Sequence, residues 1–146
     1  MLSSLVHLYG GLSPLPPLFL SSSLIRFRWV YAPLDLVRNN VRVTGYPLSH
    51  VHFVKGKVED TLPHTVPNEP IALLRLDTDF YHSTKAELEV LYPRLISGGT
   101  LIIDDYCAYQ GSRTATDEYF QSIGTSVEKL LNGRPPCPVT PFLTKP

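Results

Sequence analysis

Two short stretches of the chain are almost continuously apolar, and acidic residues follow each of them. Residues 71–76 read Ile-Ala-Leu-Leu-Arg-Leu and precede Asp77, and residues 100–103 read Thr-Leu-Ile-Ile and precede Asp104. A short apolar run of this kind is typical of a strand that is buried on both faces of a sheet. We therefore predict two buried strands at these positions.

A helix is predicted between the two strands. Apolar residues recur there at helical spacing, at Leu88, Leu91, Tyr92 and Leu95. Thr84 and Glu87 have the spacing of a capping box near the start of the helix. Pro93 is expected to kink or shorten the helix, and Gly98 and Gly99 are expected to break it.

Further short elements are predicted before the first buried strand. Residues 34–41 predict a helix, with Pro33 in its first turn and Gly45 as its C-terminal stop. Residues 51–56 predict a strand, and residues 60–63 predict a turn or short helix. Strands that alternate with helices in this way indicate an α/β fold with a parallel sheet.

The composition along the chain predicts three segments. Residues 1–30 form a Pro- and Ser-rich N-terminal segment, residues 31–125 form the α/β domain, and residues 126–146 form a Pro-rich tail. The domain includes a further helix over residues 114–120. From Gly133 onward, the density of proline argues against regular structure.

The composition also limits the classes of function. Thirteen Lys and Arg balance 13 Asp and Glu, so we expect no nucleic-acid partner and no attraction to anionic membranes. Residues 1–25 carry no Lys, Arg, Asp or Glu, but Gly and Pro interrupt their apolar runs, so neither a secretory signal nor a membrane anchor is expected. Cys107 and Cys137 make neither a disulfide framework nor a zinc site, and a reducing cytoplasm is the expected location.

Four aspartates follow the two buried strands. Asp77 and Asp79 follow the first strand, and Asp104 and Asp105 follow the second. If the strands are neighbours, these carboxylates converge at one edge of the sheet, where ligands of parallel sheets bind. Packed carboxylates repel one another, so some are protonated or share a cation. An all-oxygen cluster favours Mg²⁺ first, and Ca²⁺ or Mn²⁺ next. The alternative is that these aspartates only shape turns or cap helices.

The aspartates belong to a longer set of short motifs. The set comprises Leu76-Asp77-Thr78-Asp79-Phe80-Tyr81, Ser83-Thr84, Leu91-Tyr92-Pro93, Gly98-Gly99, Ile103-Asp104-Asp105-Tyr106 and Asp117-Glu118-Tyr119, with Gly56 and Asp60-Thr61-Leu62-Pro63 upstream. Together these motifs resemble the macrocin, mycinamicin and novobiocin sugar O-methyltransferases. The resemblance covers about residues 33–120.

The resemblance implies a class I methyltransferase fold, which is Rossmann-like, and two cofactors, S-adenosyl-L-methionine and Mg²⁺. By position in the motifs, Asp77, Asp104 and Asp105 correspond to the metal ligands, and Asp79 corresponds to the general base. The implied acceptor is the hydroxyl of a sugar or another small molecule. Related enzymes are often dimers or larger, so a homo-oligomer is expected.

The resemblance also implies roles for residues outside the acidic motifs. Gly56 and Lys57 lie where the family's third strand ends beside the adenine, so they are candidate cofactor-binding residues. The alternative for Gly56 is an ordinary turn glycine. Tyr81 either borders the acceptor or packs, with packing slightly favoured. His82 either adjusts the charge near the metal or is simply exposed, and exposure is favoured.

The resemblance does not extend to the elements that hold most of the cofactor. Enzymes of this type begin with a strand, a Gly-rich turn and a helix, and the N–H groups of that turn receive the cofactor's carboxylate. Before Pro33, Gly10 and Gly11 are followed by a Pro-rich stretch, and no acidic residue precedes Asp35. We therefore expect a fold truncated in its N-terminal half, with weak or absent cofactor affinity.

Three alternatives remain to an active enzyme of this type. The first is a non-catalytic methyltransferase-like domain that retains only the metal site. The second is a phosphatase of the haloacid dehalogenase type, in which Asp77 would be the nucleophile. The 27 positions between Asp77 and Asp104 (104 − 77) leave no room for the Ser/Thr and Lys motifs such an enzyme needs. The third, a near relative within the same enzyme class, is a catechol-type methyltransferase, which usually places a lysine near the first aspartate, and here that neighbourhood holds Asp79.

Overall fold

The structure, a computed structural model, describes residues 4–8, 33–65, 69–137 and 141–146. These residues form two compact units, one ending at Lys57 and the other beginning at Val58. Most of the N-terminal segment considered above as a signal or anchor lies outside the described residues. Within the described part, no helix combines the length and apolarity that a membrane crossing requires.

In its described residues, 4–8 and 33–57, the first unit contains two strands and one α-helix. Strand β1 (Ser4–Leu8) pairs in parallel with β2 (Val51–Lys55), and α1 (Leu34–Val43) and a 3₁₀ turn (Leu48–His50) lie between them in sequence. The helix and the second strand confirm the sequence prediction. Gly45, with φ of +77°, follows the helix in the left-handed conformation that favours glycine. Strand β1 was not predicted, because Pro and Gly dominate the segment around it.

The second unit is a three-stranded sheet with helices. In chain order it comprises α2 (Val58–Thr65), β3 (Ile71–Leu76), α3 (Tyr81–Leu91), a 3₁₀ turn (Tyr92–Arg94), β4 (Leu95–Ile103), α4 (Gln110–Ser122), α5 (Val127–Leu130) and β5 (Phe142–Thr144). The strand order is β3-β4-β5, with β3 and β4 parallel and β5 antiparallel to β4. The predicted α/β fold is confirmed, and the sheet is mixed.

The core of the second unit lies between the sheet and its helices. Helix α3 contacts α2, α4 and β3. Leu76, Leu101 and Ile103 of the sheet are no more than 1% exposed. On the helix side, the rings of Tyr92, Tyr119 and Phe120 pack edge to face in mutual contact, a favourable aromatic arrangement.

Strand β3 is buried on one face only, which corrects the prediction of burial on both. Leu74 and Leu76 are buried, whereas Leu73 is 64% exposed and Arg75 is also exposed. Side chains alternate between the two faces of a strand. The sequence shows an apolar residue on both faces, but the helices of this unit bury only one.

The two glycines predicted to break a helix lie inside β4 instead. The register of β3 against β4 shifts between Ile71 and Leu73, so β4 carries extra residues there. Gly98 has φ of +77°. A Cβ on Gly99 would lie 2.8 Å from the carbonyl oxygen of Ile96, so only glycine fits this irregularity. The helix has already ended at Leu91, next to the predicted break at Pro93.

The C-terminal segment contains regular structure, contrary to the prediction from its prolines. Strand β5 pairs Phe142 with Ile102 and Leu143 with Leu101. The ammonium group of Lys145 donates to the carbonyl oxygens of Tyr92, Pro93 and Leu95 at 3.2, 3.2 and 2.6 Å. A lysine whose ammonium group donates hydrogen bonds to carbonyl oxygens beyond the end of a helix stabilises that end. None of the prolines lies within the strand, because the last one before it is Pro141 and the next is Pro146.

The two cysteines form a disulfide, which the sequence reasoning did not expect. Cys107 follows β4 and Cys137 precedes β5, 30 positions later. The bond ties the segment before β5 to the loop after Asp105. Two distant cysteines are weak evidence in a sequence because their pairing depends on how the chain folds between them.

Candidate active site

Parallel pairing of β3 and β4 brings the two acidic motifs to one edge of the sheet. Leu76 pairs with Ile103, and the N–H of Asp104 donates to the carbonyl of Leu76 at 2.9 Å. Asp77 and Asp104 therefore follow directly paired residues. The prediction that the two strands are neighbours is confirmed.

Arg75 connects the two acidic motifs. Its guanidinium donates to Asp77 Oδ2 at 2.7 Å and also to Asp104 Oδ2. The Arg75 and Asp77 side chains are 50% and 55% exposed, so water screens this ion pair and limits its contribution to stability. The sequence reasoning missed the role of Arg75, although a single charge within an apolar strand is a usable signal.

The other two aspartates, Asp79 and Asp105, form no ion pair in the described structure, although the charge of Arg75 partly offsets that of Asp105. Burial, and then the charge of Asp77, raise the pKa of Asp79 above its usual range. Burial, followed by the charges of Asp79, Asp77 and Asp104, raises the pKa of Asp105 to about 6. Asp105 Oδ2 is a buried oxygen without a hydrogen-bond partner in the described structure. This edge of the sheet therefore favours a proton or a cation.

The edge of the sheet that is followed by Asp77, Asp79, Asp104 and Asp105 is called the acidic edge below. Its donor atoms suit a hard cation, but its carboxylates are not grouped around one position. Within residues 4–8, 33–65, 69–137 and 141–146, no three or more Asp, Glu, His or Cys side chains are grouped as metal ligands. Asp77 and Asp104 direct an oxygen at Arg75. The unpartnered oxygen of Asp105 and the all-oxygen donor set fit Mg²⁺. The assignment of Asp77, Asp104 and Asp105 as metal ligands stays a prediction.

Helix α4 anchors the loop that carries Asp105. The hydroxyl of Tyr106, a residue only 3% exposed, donates to Asp117 Oδ1 at 2.8 Å. Arg113 donates to the carbonyl of Tyr106 at 3.2 Å and lies over its ring. The N–H of Tyr109 donates to the carbonyl of Asp105 at 2.9 Å. These bonds fix the backbone at Asp105 and directly after it.

The loop that carries Asp79 is held by α3. Thr78 lies between Asp77 and Asp79, and its hydroxyl donates to Glu87 Oε2 at 2.8 Å. Thr84 donates to the carbonyl of Thr78 at 2.9 Å. The predicted capping box is therefore wrong, because Thr84 and Glu87 lie within the helix and bond to the loop, while Phe80 is the N-cap residue.

Helix α4 also approaches the Asp79 loop closely. A Cβ on Gly111 would lie 2.8 Å from the backbone nitrogen of Tyr81 and 3.2 Å from the carbonyl oxygen of Asp79. Only glycine permits this approach without a backbone shift. Glycine next to a helix start is common in sequences, so the sequence alone gave no sign of the contact.

Tyr81 has structural partners. Its hydroxyl donates to Glu118 Oε2 at 2.5 Å, and the ammonium group of Lys85 lies 3.2 Å from the same hydroxyl. These contacts agree with the preference for a packing role over a substrate role. His82 is exposed, as predicted.

Gly56 and Lys57, the candidate cofactor-binding residues, belong to the first unit. They follow the carboxyl end of β2, as the resemblance implied. Gly56 has φ of +149°, a conformation that L side chains rarely adopt. Cofactor contact by these two residues stays a prediction.

Comparison with known proteins assigns the chain to a family. Residues 24–130 match the model of the macrocin O-methyltransferase (TylF) family. The chain belongs to this family. The match begins before Pro33 and ends after Phe120, so the resemblance extends further in both directions than the motifs indicated.

Two characterised relatives show the same similarity. The 8-demethyl-8-(2,3-dimethoxy-alpha-L-rhamnosyl)-tetracenomycin-C 4'-O-methyltransferase of Streptomyces olivaceus is 44% identical over 94 residues, covering 64% of this chain and 35% of that protein. The mycinamicin III 3''-O-methyltransferase of Micromonospora griseorubida is 42% identical over 95 residues, covering 65% and 37%. The chain thus spans little more than a third of the length of these relatives.

A solved structure agrees with the family assignment. The O-methyltransferase NovP superposes with a TM-score of 0.63 at 34% sequence identity, covering 68% of this chain and 40% of that one. The calicheamicin methyltransferase CalS11 superposes with a TM-score of 0.55 at 24% identity, which supports the fold alone. The macrocin O-methyltransferase family and the class I methyltransferase fold are therefore established for the matched part of the chain.

Proposed function

We propose that the chain acts in an O-methyltransferase that transfers a methyl group from S-adenosyl-L-methionine to a hydroxyl of a sugar or another small molecule. One observation carries the proposal: within the family-matched region, β3 and β4 pair in parallel and place Asp77 and Asp104 at the same edge of the sheet. The names of the relatives describe methyl transfer to oxygen atoms of antibiotics. A haloacid dehalogenase-type phosphatase has no support from these relatives.

The aspartates at this edge would divide the chemistry. Asp79 would accept the proton of the acceptor hydroxyl, and its raised pKa makes it a stronger base than an ordinary aspartate. Asp77, Asp104 and Asp105 would hold Mg²⁺, whose positive charge orients a hydroxyl and stabilises developing alkoxide charge. Arg75 supplies positive charge to Asp77 and Asp104 in the structure, so it would have to release them to the metal.

Cofactor contact would come from the first unit. S-adenosyl-L-methionine supplies the methyl group, and Gly56 and Lys57 are the residues we propose to contact it. Gly56 has a positive φ that favours glycine over other residues. Because glycine has no side chain, a ligand can approach the backbone of this turn closely.

Ligand titrations and a transfer assay test the proposal. The purified chain, shown to be folded by circular dichroism, is titrated with Mg²⁺ and S-adenosyl-L-methionine separately, and then assayed for methyl transfer to hydroxylated sugars. We expect chelator-sensitive product, and loss of product without loss of Mg²⁺ binding in Asp79→Asn. A folded chain that binds both ligands and methylates none of the acceptors contradicts the activity.

A second candidate is a domain that keeps only the metal site. The buried oxygen of Asp105 that lacks a hydrogen-bond partner favours a cation at this edge whether or not methyl transfer takes place. This candidate predicts Mg²⁺ binding without S-adenosyl-L-methionine binding, so the same two titrations separate it from the enzyme.

Assembly and location are also proposals. A homo-oligomer and a cytoplasmic location would accord with the expectations from the family and the composition. The Cys107–Cys137 disulfide is an observation against the cytoplasmic location, because stable disulfides are rare in reducing compartments.

A further inference from the structure

Glu87 is a buried acid without an obvious catalytic position. It lies on α3 and is only 3% exposed. Among the described residues, no Lys, Arg or His forms an ion pair with Glu87. A buried carboxyl group without a cation is expected to be neutral, because burial penalises the charged form. Consistent with this, burial raises the pKa of Glu87 to about 8.

The partner of Glu87 is the central residue of the first acidic motif. Thr78 is 4% exposed, and it alternates with Asp77, which is exposed, and Asp79, which is half-buried. The buried side chain of Thr78 thus lies between two neighbours that are both more exposed. The hydroxyl of Thr78 lies 2.8 Å from Glu87 Oε2 and 2.8 Å from Thr84 Oγ1.

The backbone of Thr78 is fixed as well. The hydroxyl of Thr84, which is fully buried, donates to the Thr78 carbonyl at 2.9 Å. Helix α3 therefore holds both the side chain and the backbone of one residue in the loop. A neutral Glu87 can do this without adding negative charge to an edge that already carries four carboxylates.

We propose that Glu87 and Thr78 are positioning residues, whose hydrogen bond holds Asp77 and Asp79 at the acidic edge in the orientation that metal and acceptor binding require. The inference rests on the proposed function for the roles of Asp77 and Asp79. Glu87 and Thr78 are not themselves proposed to bind the metal or the acceptor, because both are buried beneath the acidic edge.

The test compares three variants on α3 in the full chain. Glu87→Gln keeps a neutral hydrogen-bonding group of the same shape, and Glu87→Leu removes it. Leu91→Ala is the matched control, because Leu91 is buried on the same helix and its truncation destabilises the protein without touching Thr78. Two readouts are used: the dissociation constant for Mg²⁺ alone, by calorimetry, and amide hydrogen exchange.

The exchange readout follows two amides that flank the loop. The N–H of Asp104 bonds to the carbonyl of Leu76 at 2.9 Å, and the N–H of Thr84 bonds to that of Phe80 at 3.1 Å. After correction for each variant's free energy of unfolding, we expect Glu87→Leu to exchange about tenfold faster at both amides than Leu91→Ala, as the loss of a buried hydrogen bond implies. It should also bind Mg²⁺ about tenfold more weakly than that control. Glu87→Gln should keep the wild-type affinity for Mg²⁺ and should exchange no faster than the wild type at either amide.

Failure of the inference and failure of the proposed function give different results. If the wild type binds no Mg²⁺, the metal site is wrong, and hydrogen exchange alone decides the positioning role. Equal exchange in Glu87→Leu and Leu91→Ala overturns that role whatever the metal result. If Glu87→Leu does not fold, Thr78→Val takes its place, because it replaces the hydroxyl with a methyl group. The same differences from Leu91→Ala are then expected, and equal exchange again overturns the positioning role.

Discussion

The guanidinium of Arg75 on β3 donates a hydrogen bond to the carboxylate of Asp104, the first residue after β4. With its second bond, to Asp77, the same group neutralises part of the charge at the acidic edge. A cation that binds these oxygens must compete with Arg75. The guanidinium of Arg75 therefore limits how tightly the acidic edge can bind a metal ion.

Arg75→Gln is predicted to strengthen Mg²⁺ binding, because it removes the competing guanidinium and its repulsion of the ion. We expect the dissociation constant to fall about tenfold, with little change in thermal stability, since the ion pair is half exposed. Calorimetric titration measures the change. Arg134→Gln alters the net charge equally, at a guanidinium bonded to the Leu131 carbonyl instead, and should bind Mg²⁺ as the wild type does. Weaker binding in Arg75→Gln would show that Arg75 supports the site rather than competes for it.

The stability of the fold is predicted to fall as pH rises from about 4.5 towards 8. Burial, assisted by the charges of Asp77, Glu59 and Asp105 and opposed by the hydrogen bond from Thr78, raises the pKa of Glu87 from 4.5 to about 8. Between these values the unfolded chain has released the proton and the folded chain retains it. The unfolded state therefore binds fewer protons, and the free energy of unfolding decreases with pH.

Glu87→Gln should remove the part of this decline that Glu87 causes, since glutamine does not titrate. Urea unfolding at a series of pH values measures it, and the variant should exceed the wild type by a few kcal/mol near pH 9 and match it near pH 4. Glu89→Gln, at an exposed position of the same helix, is the control and should follow the wild-type profile. If the free energy of unfolding falls equally steeply with pH in the wild type and in Glu87→Gln, a residue other than Glu87 is responsible for the decline.

Gly111→Ala is predicted to destabilise the fold by about 1–3 kcal/mol. The added methyl group would lie 2.8 Å from the backbone nitrogen of Tyr81, and backbone atoms on both sides would have to move. The displacement also reaches the carbonyl of Asp79, so Mg²⁺ binding and methyl transfer should weaken as well. Denaturant unfolding compares this variant with Gln110→Ala, an exposed neighbour on α4. Equal stability of the two variants would mean that α4 and the loop are not in contact in solution.

Reduction of the Cys107–Cys137 disulfide is predicted to lower the free energy of unfolding by about 3 kcal/mol, because the bond restricts a 30-position separation in the unfolded chain. Melting curves with and without a thiol reductant measure the effect. The double variant Cys107→Ala/Cys137→Ala should melt near the reduced wild type, and its curve should be insensitive to the reductant. A wild-type curve that the reductant does not change would indicate that the thiols are free in solution.

The elements nearest the acidic edge were predictable from local pattern. Residues 71–76 carry an apolar run that ends in acidic residues, and this suffices to locate β3 and the edge beyond it. Tyr106 and Asp117 lie in two of the later motifs, and the structure joins them by a hydrogen bond.

The contacts that support the acidic edge could not be predicted from the sequence, because they join residues that only the folded chain brings together. The Thr84–Glu87 spacing fits a capping box, and only the folded chain shows that both side chains reach Thr78 instead. Strand β5 is three residues long and follows a Pro-rich segment, so its pairing with β4 determines it more than its own composition does. Local propensity is a weak guide wherever such partners decide the outcome.

The most direct test of the account is a calorimetric titration of Mg²⁺ into the wild type, Asp77→Asn, Asp105→Asn and the control Asp60→Asn, which replaces an exposed aspartate on α2. If the two strands deliver their aspartates to one shared ion, the wild type and Asp60→Asn bind a single Mg²⁺ equally well. Asp77→Asn and Asp105→Asn then each lose that binding. A wild type that binds no Mg²⁺, or that binds it no more tightly than Asp77→Asn and Asp105→Asn do, contradicts the account.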